Sequence, residues 1–411
     1  MSKARLSPGP VTNAAVGSPN GKRIQERVKS VMVAESLVMT PRVFAEGPSR
    51  VVASPSVQWL RPDEDADWDD FVGEHPYGLV YHLSAWKNVL HTAFPHIRGR
   101  FLVLRDGESG RILAGMPVYT VKSWLLGRHI SSLPFSSFCD PLITSAGEFN
   151  LLLPELEALC RRSKSRVAEV RSTRTEEQLA ESGLDRSSTY KHHYLSLDGG
   201  MDEIFRGFSK SSVRQKIQQA ERAGVVVEER GGEDGIKLCH TILAATRSRR
   251  SLPVLPYAFF RAMGESLRPQ HLKVFLAYQA GKPVAFHLIL RFKDLWISEY
   301  SGNTDEAQNG VNQLLYWDTI KRAHADGAKT FSFGRTSSTN EGLLSYKRRW
   351  APVEQDLAEF NLYPEAGTAA RQGKKRPRES SIAYRLTRVF LSKAPTPLAR
   401  IIGNYCYRHL G

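Results

Sequence analysis

Residues able to bind anions and to move protons are concentrated at positions 295–350 of this 411-residue chain. Glu299 is a carboxylate that could accept a proton, and Arg335 is a planar cation suited to binding carboxylate or phosphate through two parallel hydrogen bonds. Lys347 could donate to a phosphate or an oxyanion, and the preceding Tyr346 could protonate a leaving group. These residue types provide anion binding, proton transfer and stabilisation of developing negative charge.

Each of these candidates also has a structural alternative. Glu299 is compatible with a surface carboxylate, and Arg335 is compatible with a structural ion pair. Lys347 fits the solvated face of a short helix, and Tyr346 fits packing in a core. The order of the elements that carry these residues is therefore the stronger observation.

The candidates lie on a strand–loop–helix–strand pattern. Apolar runs predict strands over Leu295–Tyr300 and Lys329–Phe333, and the spacing of apolar residues predicts a helix over Gly310–Ala325. A helix that begins at the end of a strand presents unpaired N–H groups and a partial positive charge. Its N-terminus is therefore a natural site for the phosphates of a ligand.

The start of this helix supplies a second group of candidate binding residues. Asn309 and Gly310 sit where the backbone would approach such a ligand, and Asn312 follows in the first turn. We expect Tyr300, at the end of the preceding strand, to face the same cavity and Arg214, on an upstream basic helix, to line its rim. The alternative is a simple Asn309-Gly310 turn in which Asn309 caps the helix.

A pattern of two short β-rich runs joined by a turn occurs twice along the chain. The first copy comprises Phe101–Arg105 and Ile112–Tyr119, and the second comprises Val274–Tyr278 and Pro283–Leu290. Helical patterns flank both copies, which predicts a mixed α/β sheet. Two related domains in tandem would explain the repetition. The alternative is that hairpins recur in any α/β protein.

The composition divides the chain into four segments. Residues 1–56 mix Ser, Pro, Gly and Ala with weak periodicity and are predicted to be disordered. Ordered structure is predicted for residues 57–195 and 196–365, as two α/β domains. Residues 366–411 are predicted to form a polar, basic linker followed by an amphipathic tail.

Most of the positive charge belongs to the two ends of the chain. The formal net charge is +15, to which residues 1–56 contribute +5 and residues 366–411 contribute +9, so the middle is nearly neutral. Apolar stripes beside arginines in the C-terminal tail predict peripheral contact with an anionic membrane. The alternative is a tail that packs on the folded body or stays disordered. We expect no DNA partner, because aromatic residues are not interleaved with these charges.

Composition and motifs also bear on location and on metals. The sequence has no run of 18 apolar residues and no secretory-signal pattern at its N-terminus, and its four scattered cysteines fit a reducing compartment. We therefore expect a cytoplasmic protein, peripheral to the inner face of the cytoplasmic membrane through its tail. His192 and His193 lie on a predicted strand, where neighbours face opposite sides, so no metal site is predicted.

Several motifs occur in an informative order. The segments are YSGNT at Tyr300–Thr304, GVNQLLYW at Gly310–Trp317, FSFGR at Phe331–Arg335, GLLSYKRRW at Gly342–Trp350, SKSSVRQK at Ser209–Lys216 and LPFSSFCDPL at Leu133–Leu142. The first four resemble the C-terminal domain of FemAB-type transferases, and the last two resemble that family's basic helix and its Pro- and aromatic-rich loop. The family looks like a tandem of two GNAT-like domains, and one branch is associated with exopolysaccharide systems.

The resemblance implies an N-acyltransferase acting on an amine of a cell-envelope polysaccharide or a peptidoglycan precursor. It implies acyl-CoA, acyl carrier protein or aminoacyl-tRNA as co-substrate and no tightly bound cofactor. The chain departs from the family pattern at Glu306–Asn312, which lacks a GNAT pyrophosphate loop, and at Ser212–Ala223, a predicted helix too short for the coiled-coil arm of the tRNA-dependent enzymes. Two alternatives stay open: an aminoacyl-tRNA-dependent ligase, and a non-catalytic envelope-assembly partner with a degenerate transferase fold.

Overall fold

The computed structural model describes residues 54–124, 127–132, 134–364, 402–403 and 405–407. In these parts of the chain the strands are β1 (Ser56–Trp59), β2 (Ile97–Arg105), β3 (Ile112–Ser123), β4 (Gly127–Ser131), β5 (Ala168–Ser172), β6 (Asp185–Ser196), β7 (Val226–Glu229), β8 (Leu272–Gln279), β9 (Lys282–Phe292), β10 (Leu295–Asn303), β11 (Thr330–Ser337) and β12 (Val353–Leu362). The α-helices are α1 (Asp65–Glu74), α2 (Ser84–Ala93), α3 (Ala146–Arg162), α4 (Glu176–Ala180), α5 (Met201–Gly207), α6 (Gln215–Arg222), α7 (Gly232–Arg249), α8 (Tyr257–Leu267), α9 (Val311–Ala325) and α10 (Glu341–Arg348).

The described strands form one mixed sheet in the order β1-β2-β3-β4-β5-β12-β6-β11-β10-β9-β8-β7. Strands β4 and β5 pair in parallel, as do β10 and β11, and the other neighbours are antiparallel. Each half of the sheet therefore repeats one unit: three antiparallel strands, a helix, and a fourth strand parallel to the third. The predicted mixed α/β fold, with its two hairpins, is confirmed.

One further strand follows each repeated unit, β6 after the first and β12 after the second. Each of these two strands pairs with strands of the other half. Strand β6 pairs with β11 and β12 of the second half, and β12 pairs with β5 of the first half as well as with β6. The predicted division into residues 57–195 and 196–365 stays a prediction, because the strands on either side of that boundary interleave in one sheet.

Helices cover both faces of the sheet and enclose three large apolar clusters. On one face, α1, α2, α7 and α8 form a single cluster with strands of both halves. On the other face, α3 packs on the first half, and α6 and α9 pack on the second. The alternation within β2 illustrates the arrangement, because Phe101 and Val103 belong to the shared cluster whereas Leu102 and Leu104 face α3.

The helical predictions near the candidate site agree with the structure in outline. The predicted helix at Gly310–Ala325 is α9, which begins at Val311. The basic helix predicted at Ser212–Ala223 starts earlier, as one π-helical turn over Lys210–Arg214 that continues into α6. No helix in the described parts of the chain is long and apolar enough to cross a membrane.

The predicted disordered segment and C-terminal tail lie almost entirely outside the described residues. Of the tail, residues 402–403 and 405–407 are described. Ile402 packs against Val254, and the buried Tyr407 accepts a hydrogen bond from Arg247 at 2.8 Å. These two side chains of the tail therefore pack on the folded body.

Candidate active site

Strands β10 and β11 separate where the candidate residues lie. Their parallel pairing runs from Leu295 to Ile297 on β10 and ends opposite Ser332 on β11, although both strands continue beyond that point. The register of β10 against β9 also shifts between Ser298 and Tyr300, and that of β11 against β6 shifts between Ser332 and Arg335. The result is a gap between two strands, lined by backbone groups that the sheet does not pair.

Glu299 lies at this gap and faces the shared apolar cluster. Its carboxylate accepts a short hydrogen bond from the hydroxyl of Tyr81, a fully buried residue of the first half. Burial raises the pKa of the Glu299 carboxyl to about 7, against the opposing effects of the Tyr81 hydrogen bond and the Arg335 charge. A carboxyl that titrates near neutrality is suited to accepting a proton from an amine.

A loop from the first half supports this pair. The Ser137 hydroxyl hydrogen-bonds Tyr81, and it lies 3.0 Å from where a Cβ on Gly334 of β11 would be. Phe138 packs edge-on against Tyr81, with ring centroids 6.3 Å apart. The loop that resembles the family's Pro- and aromatic-rich segment thus joins Glu299 to the bulge in β11.

Arg335 lies on the same side as Glu299. Its guanidinium stacks over the Tyr190 ring at 4.6 Å, and its Nη1 nitrogen is buried with no hydrogen-bond partner among the described residues. Burial and the nearby charge of Arg171 lower the pKa of the Arg335 guanidinium. Arg171 itself forms a 2.5 Å ion pair with the buried Glu169. A guanidinium with a buried, unused donor is suited to receiving an anionic group.

Lys347 of α10 holds the backbone of the β11 bulge. Its ammonium donates to the carbonyl oxygens of Gly334 at 2.9 Å and of Arg335 at 3.2 Å. Burial lowers the pKa of Lys347 to about 7. Lys347 is therefore close to Arg335, where it fixes the strand that carries the guanidinium.

Tyr346 of α10 and Tyr316 of α9 lie on the opposite side of the gap. Tyr346 packs against Tyr316 and Trp350, each with ring centroids 6.4 Å away. Burial raises the pKa of the Tyr346 hydroxyl, so it keeps its proton at neutral pH. Tyr346 therefore packs among aromatic rings and also carries a hydroxyl proton that it can donate.

A buried polar network underlies Ser298, next to Glu299 in the chain. Thr319 donates its hydroxyl proton to the Leu315 carbonyl, so the Thr319 oxygen accepts from Nδ1–H of His287 at 3.2 Å. Nε2 of His287 then accepts from the Ser298 hydroxyl at 2.7 Å, and Tyr316 lies 3.1 Å from that hydroxyl. Burial lowers the pKa of His287 to about 3, so the imidazole is neutral and fixes the orientation of β10.

The residues at the start of α9 form a separate group. Gly310 has φ +99°, and a Cβ there would lie 2.2 Å from the carbonyl oxygen of Lys216 in α6. The close approach at Gly310 is thus to the α6 backbone, while Asn309 is exposed and Asn312 is half-buried. Gly310, not Asn309, occupies the cap position of the helix, and Arg214 lies at the end of the π-helical turn preceding α6.

Some of the predicted site residues come together and others do not. Glu299, Arg335 and Lys347 surround the gap between β10 and β11, and the Tyr300 ring packs 5.3 Å from Phe260 on the same side as Glu299. The residues at the α9 start lie at the far end of the loop that follows β10.

A cavity of about 210 Å³ lies on the Glu299 side of the sheet, where its wall includes Leu295 and Thr330 of the paired part of β10 and β11. Aromatic and polar side chains dominate its wall, among them Tyr77, Phe138, Asp140, Arg174, His192 and Tyr194. Phe138 and His192 connect the cavity to the site, because Phe138 also contacts Tyr81 and His192 pairs with Arg335 across β6 and β11. The cavity can hold a small polar molecule with an apolar face.

Comparison with known proteins identifies a family model and several similar folds. Residues 207–348 match the Acetyltransferase (GNAT) domain family. FemX has a similar structure (TM-score 0.62, 15% identity, covering 75% of this chain and 97% of FemX). So do L-PGS from Bacillus licheniformis (0.51, 13%, 76% and 95%) and a tandem GNAT protein from the clavulanic acid biosynthesis pathway (0.50, 12%, 76% and 100%). No curated protein matches the sequence.

The chain therefore carries an acyltransferase domain of the GNAT type. At 12–15% identity the structural similarity concerns the fold, and that fold is shared with FemX and tandem GNAT proteins. The predicted resemblance to FemAB/GNAT acyltransferases is confirmed at this level. Such a domain implies an acyl donor and an amine-bearing acceptor.

Proposed function

We propose that the protein transfers an acyl or aminoacyl group to an amine of a cell-envelope polysaccharide or peptidoglycan precursor. The observation that carries the proposal is Glu299 at the gap between β10 and β11, with its pKa near 7 and its hydrogen bond to Tyr81. A GNAT-type domain around this carboxylate favours a catalytic protein over a degenerate, non-catalytic partner.

In the proposed reaction the neutral acceptor amine bonds through its nitrogen to the donor carbonyl carbon, and negative charge develops on the carbonyl oxygen. The Glu299 carboxylate takes the proton that the nitrogen loses on bonding. Collapse of this intermediate re-forms the carbonyl and breaks the bond to the leaving group, which takes a proton from the Tyr346 hydroxyl. Exchange with solvent then removes the proton from Glu299 and returns one to Tyr346. Arg335 binds an anionic group of the substrate, and Lys347 keeps the β11 backbone in place. Positioning of the amine next to the carbonyl by these groups lowers the barrier to the reaction.

The donor side of the site departs from the usual GNAT pattern. The loop before α9 reads EAQNGVN over Glu306–Asn312 and has no pyrophosphate-binding motif, and α6 packs against Gly310 at the helix start. Lys216, whose backbone packs against Gly310, and Arg214, at the end of the π-helical turn before α6, are two cations of the segment beside this end of α9. We therefore propose that they receive the phosphates of the donor, with Asn309 and Asn312 as polar partners.

Aminoacyl-tRNA is the second candidate donor. The fold is similar to those of FemX and L-PGS, and the missing pyrophosphate motif removes the feature that would favour acyl-CoA. The reacting groups would be the same, because an aminoacyl ester and a thioester both present an activated carbonyl to the amine.

The proposed acceptor implies a location. Lipid-linked envelope precursors are met at the inner face of the cytoplasmic membrane, so the proposal implies a cytoplasmic enzyme working at that surface. The C-terminal tail stays a candidate membrane contact, although its described residues Ile402 and Tyr407 pack on the folded body.

The test offers acyl-CoA, acyl carrier protein and aminoacyl-tRNA separately, each with an amino-sugar oligosaccharide or a peptidoglycan precursor peptide. Mass spectrometry of the acceptor identifies the transferred group. We expect Glu299→Gln to lose product formation and Arg335→Gln to raise the KM, while Glu74→Gln on α1, whose side chain is 74% exposed, stays fully active. Equal product formation by Glu299→Gln and the parent protein would remove the proposed mechanism.

A further inference from the structure

The tip of the β3–β4 hairpin combines an exposed aromatic side chain with positive charge. Trp124 directly follows β3, and its side chain is 76% exposed. The hairpin strands pair up to Ser123 opposite Gly127. Of the large apolar side chains described as exposed, Trp124 is the most exposed.

A second segment lies directly against this tip. Backbone N–H of Arg166 donates to the Arg128 carbonyl at 3.0 Å, and the Arg128 guanidinium donates to the Ser163 carbonyl at 3.1 Å. The Arg166 guanidinium lies 3.3 Å from where a Cβ on Gly127 would be. The hairpin tip and the segment that follows α3 thus form one surface.

The charge of this surface has one sign. Residues 121–130 and 159–168 contain six Lys or Arg and no Asp or Glu. Arg161 and Arg162 pair with glutamates within α3. The other four cations, Lys122, Arg128, Lys164 and Arg166, are exposed, and no acidic side chain among the described residues lies within ion-pair distance of them.

We propose that this surface, Trp124 with Lys122, Arg128, Lys164 and Arg166, docks the protein on an anionic phospholipid bilayer. Tryptophan prefers the headgroup region of a bilayer, and anionic lipids attract a ring of Lys and Arg around it. RNA is the rival partner for a basic surface. The lone aromatic ring favours the membrane, because single-stranded RNA is bound by stacking successive bases on several aromatic side chains, and Trp124 is the one Phe, Trp or Tyr in residues 121–130 and 159–168.

The geometry fits an enzyme that works at the surface it binds. Strand β4 runs from the tip at Gly127 to Ser131, and the chain then enters the loop that carries Ser137 and Phe138. At 3.3 Å per residue the strand spans roughly 13–16 Å. Docking at the tip would thus hold the site loop a fixed, short distance above the lipid headgroups.

The test is flotation of the full chain with phosphatidylglycerol-containing vesicles and with phosphatidylcholine vesicles. We expect binding to the anionic vesicles alone, reduced about tenfold by Trp124→Ala and by Lys122→Glu with Lys164→Glu, and weakened by salt. The matched control for the double charge reversal is Lys237→Glu with Lys282→Glu, whose side chains are 54% and 74% exposed and which makes the same charge change elsewhere.

Folding of each variant is checked by thermal unfolding, which these exposed substitutions should leave unchanged. Retention of full vesicle binding by Trp124→Ala, or by the double charge reversal, would overturn the proposal. So would loss of binding in the Lys237→Glu, Lys282→Glu control equal to that in the tip variants, or binding to RNA but not to anionic vesicles. The outcome is independent of the acyltransfer assay, because none of these residues belongs to the proposed catalytic site.

Discussion

At the scale of single residues, the role proposed for Glu299 conflicts with the stability of the fold. Its carboxyl titrates at about 7 instead of the ordinary 4.5, because folding places it among buried side chains. The folded protein therefore holds its proton more tightly than the unfolded chain does. The free energy of unfolding must then fall as the pH rises from 4.5 through 7, and the ionised Glu299 destabilises the fold above that range.

We expect Glu299→Gln to be more stable than the parent at pH 8 and far less active. The neutral amide avoids the buried charge, so the free energy of unfolding should rise by roughly 2 kcal/mol at pH 8 and by much less at pH 4.5. Loss of the proton acceptor should lower kcat/KM by about 10²–10⁴-fold. Urea denaturation at both pH values and a transfer assay check the pair of effects. Equal stability gains at both pH values would contradict the assigned pKa.

Tyr81→Phe tests the partner of Glu299. The Tyr81 hydroxyl stabilises the ionised carboxylate, so its removal should raise the Glu299 pKa and move the acidic limb of the kcat/KM profile upward by about one pH unit. Tyr119→Phe is the matched control, because the Tyr119 hydroxyl is buried without a hydrogen-bond partner among the described residues. An unchanged limb in Tyr81→Phe, or an equal shift in Tyr119→Phe, would refute the role of this hydrogen bond.

The same residues mark how far sequence reasoning reaches. Glu299, Arg335 and Lys347 could be proposed because each lies at a strand end or within a recognisable segment of one continuous stretch. Tyr81 could not, because it lies 218 positions before Glu299 and belongs to a short Val-Tyr-His turn with no chemical signature. The contact arises only when the two halves of the chain share one apolar cluster.

At the scale of elements, the start of α9 depends on one glycine. Gly310 adopts φ +99°, and any side chain there would meet the Lys216 carbonyl of α6. The sequence indicated a glycine at a close approach, but it could not indicate that the approaching group is another helix. The neighbouring helix also begins with a π-helical turn, which apolar spacing alone does not distinguish from an ordinary α-helical turn.

Gly310→Ala should therefore destabilise the protein by about 2–4 kcal/mol, from the combined cost of the positive φ and the clash with α6. Gly224→Ala is the matched control, because Gly224 has φ +70° with nothing within 4 Å of the added Cβ. The control should lose only about 1 kcal/mol. Thermal or urea unfolding measures both, and equal losses in the two variants would show that the contact with α6 contributes nothing.

At the scale of the whole molecule, the repeat was visible in the sequence and the exchange of strands was not. The two hairpins recur with similar patterns at Phe101–Tyr119 and Val274–Leu290, so a repeated unit could be predicted. Local patterns cannot specify which long-range neighbour a strand takes, because β6 and β12 would satisfy their apolar faces in either half. The exchange places Glu359 of β12 beside Arg171 of β5, so it also assembles the charged surroundings of Arg335.

This exchange leads us to expect that neither half folds alone. In a fragment of residues 1–199, β6 would lack both of its neighbours, β11 and β12, and β5 would lose one of its two partners. In a fragment of residues 200–411, β12 would lack both β5 and β6. Each fragment would expose unpaired strand edges and part of the apolar cluster that both halves share. Separately expressed fragments should therefore show no cooperative thermal transition, and mixing or co-expressing them should restore one transition and the acyltransfer activity.

Circular dichroism and amide hydrogen exchange measure the folding of each fragment. The full chain cleaved at Gly199 is the control for the break itself. A fragment that unfolds cooperatively by itself, with protected amides throughout its strands, would show that the two repeats are independent domains.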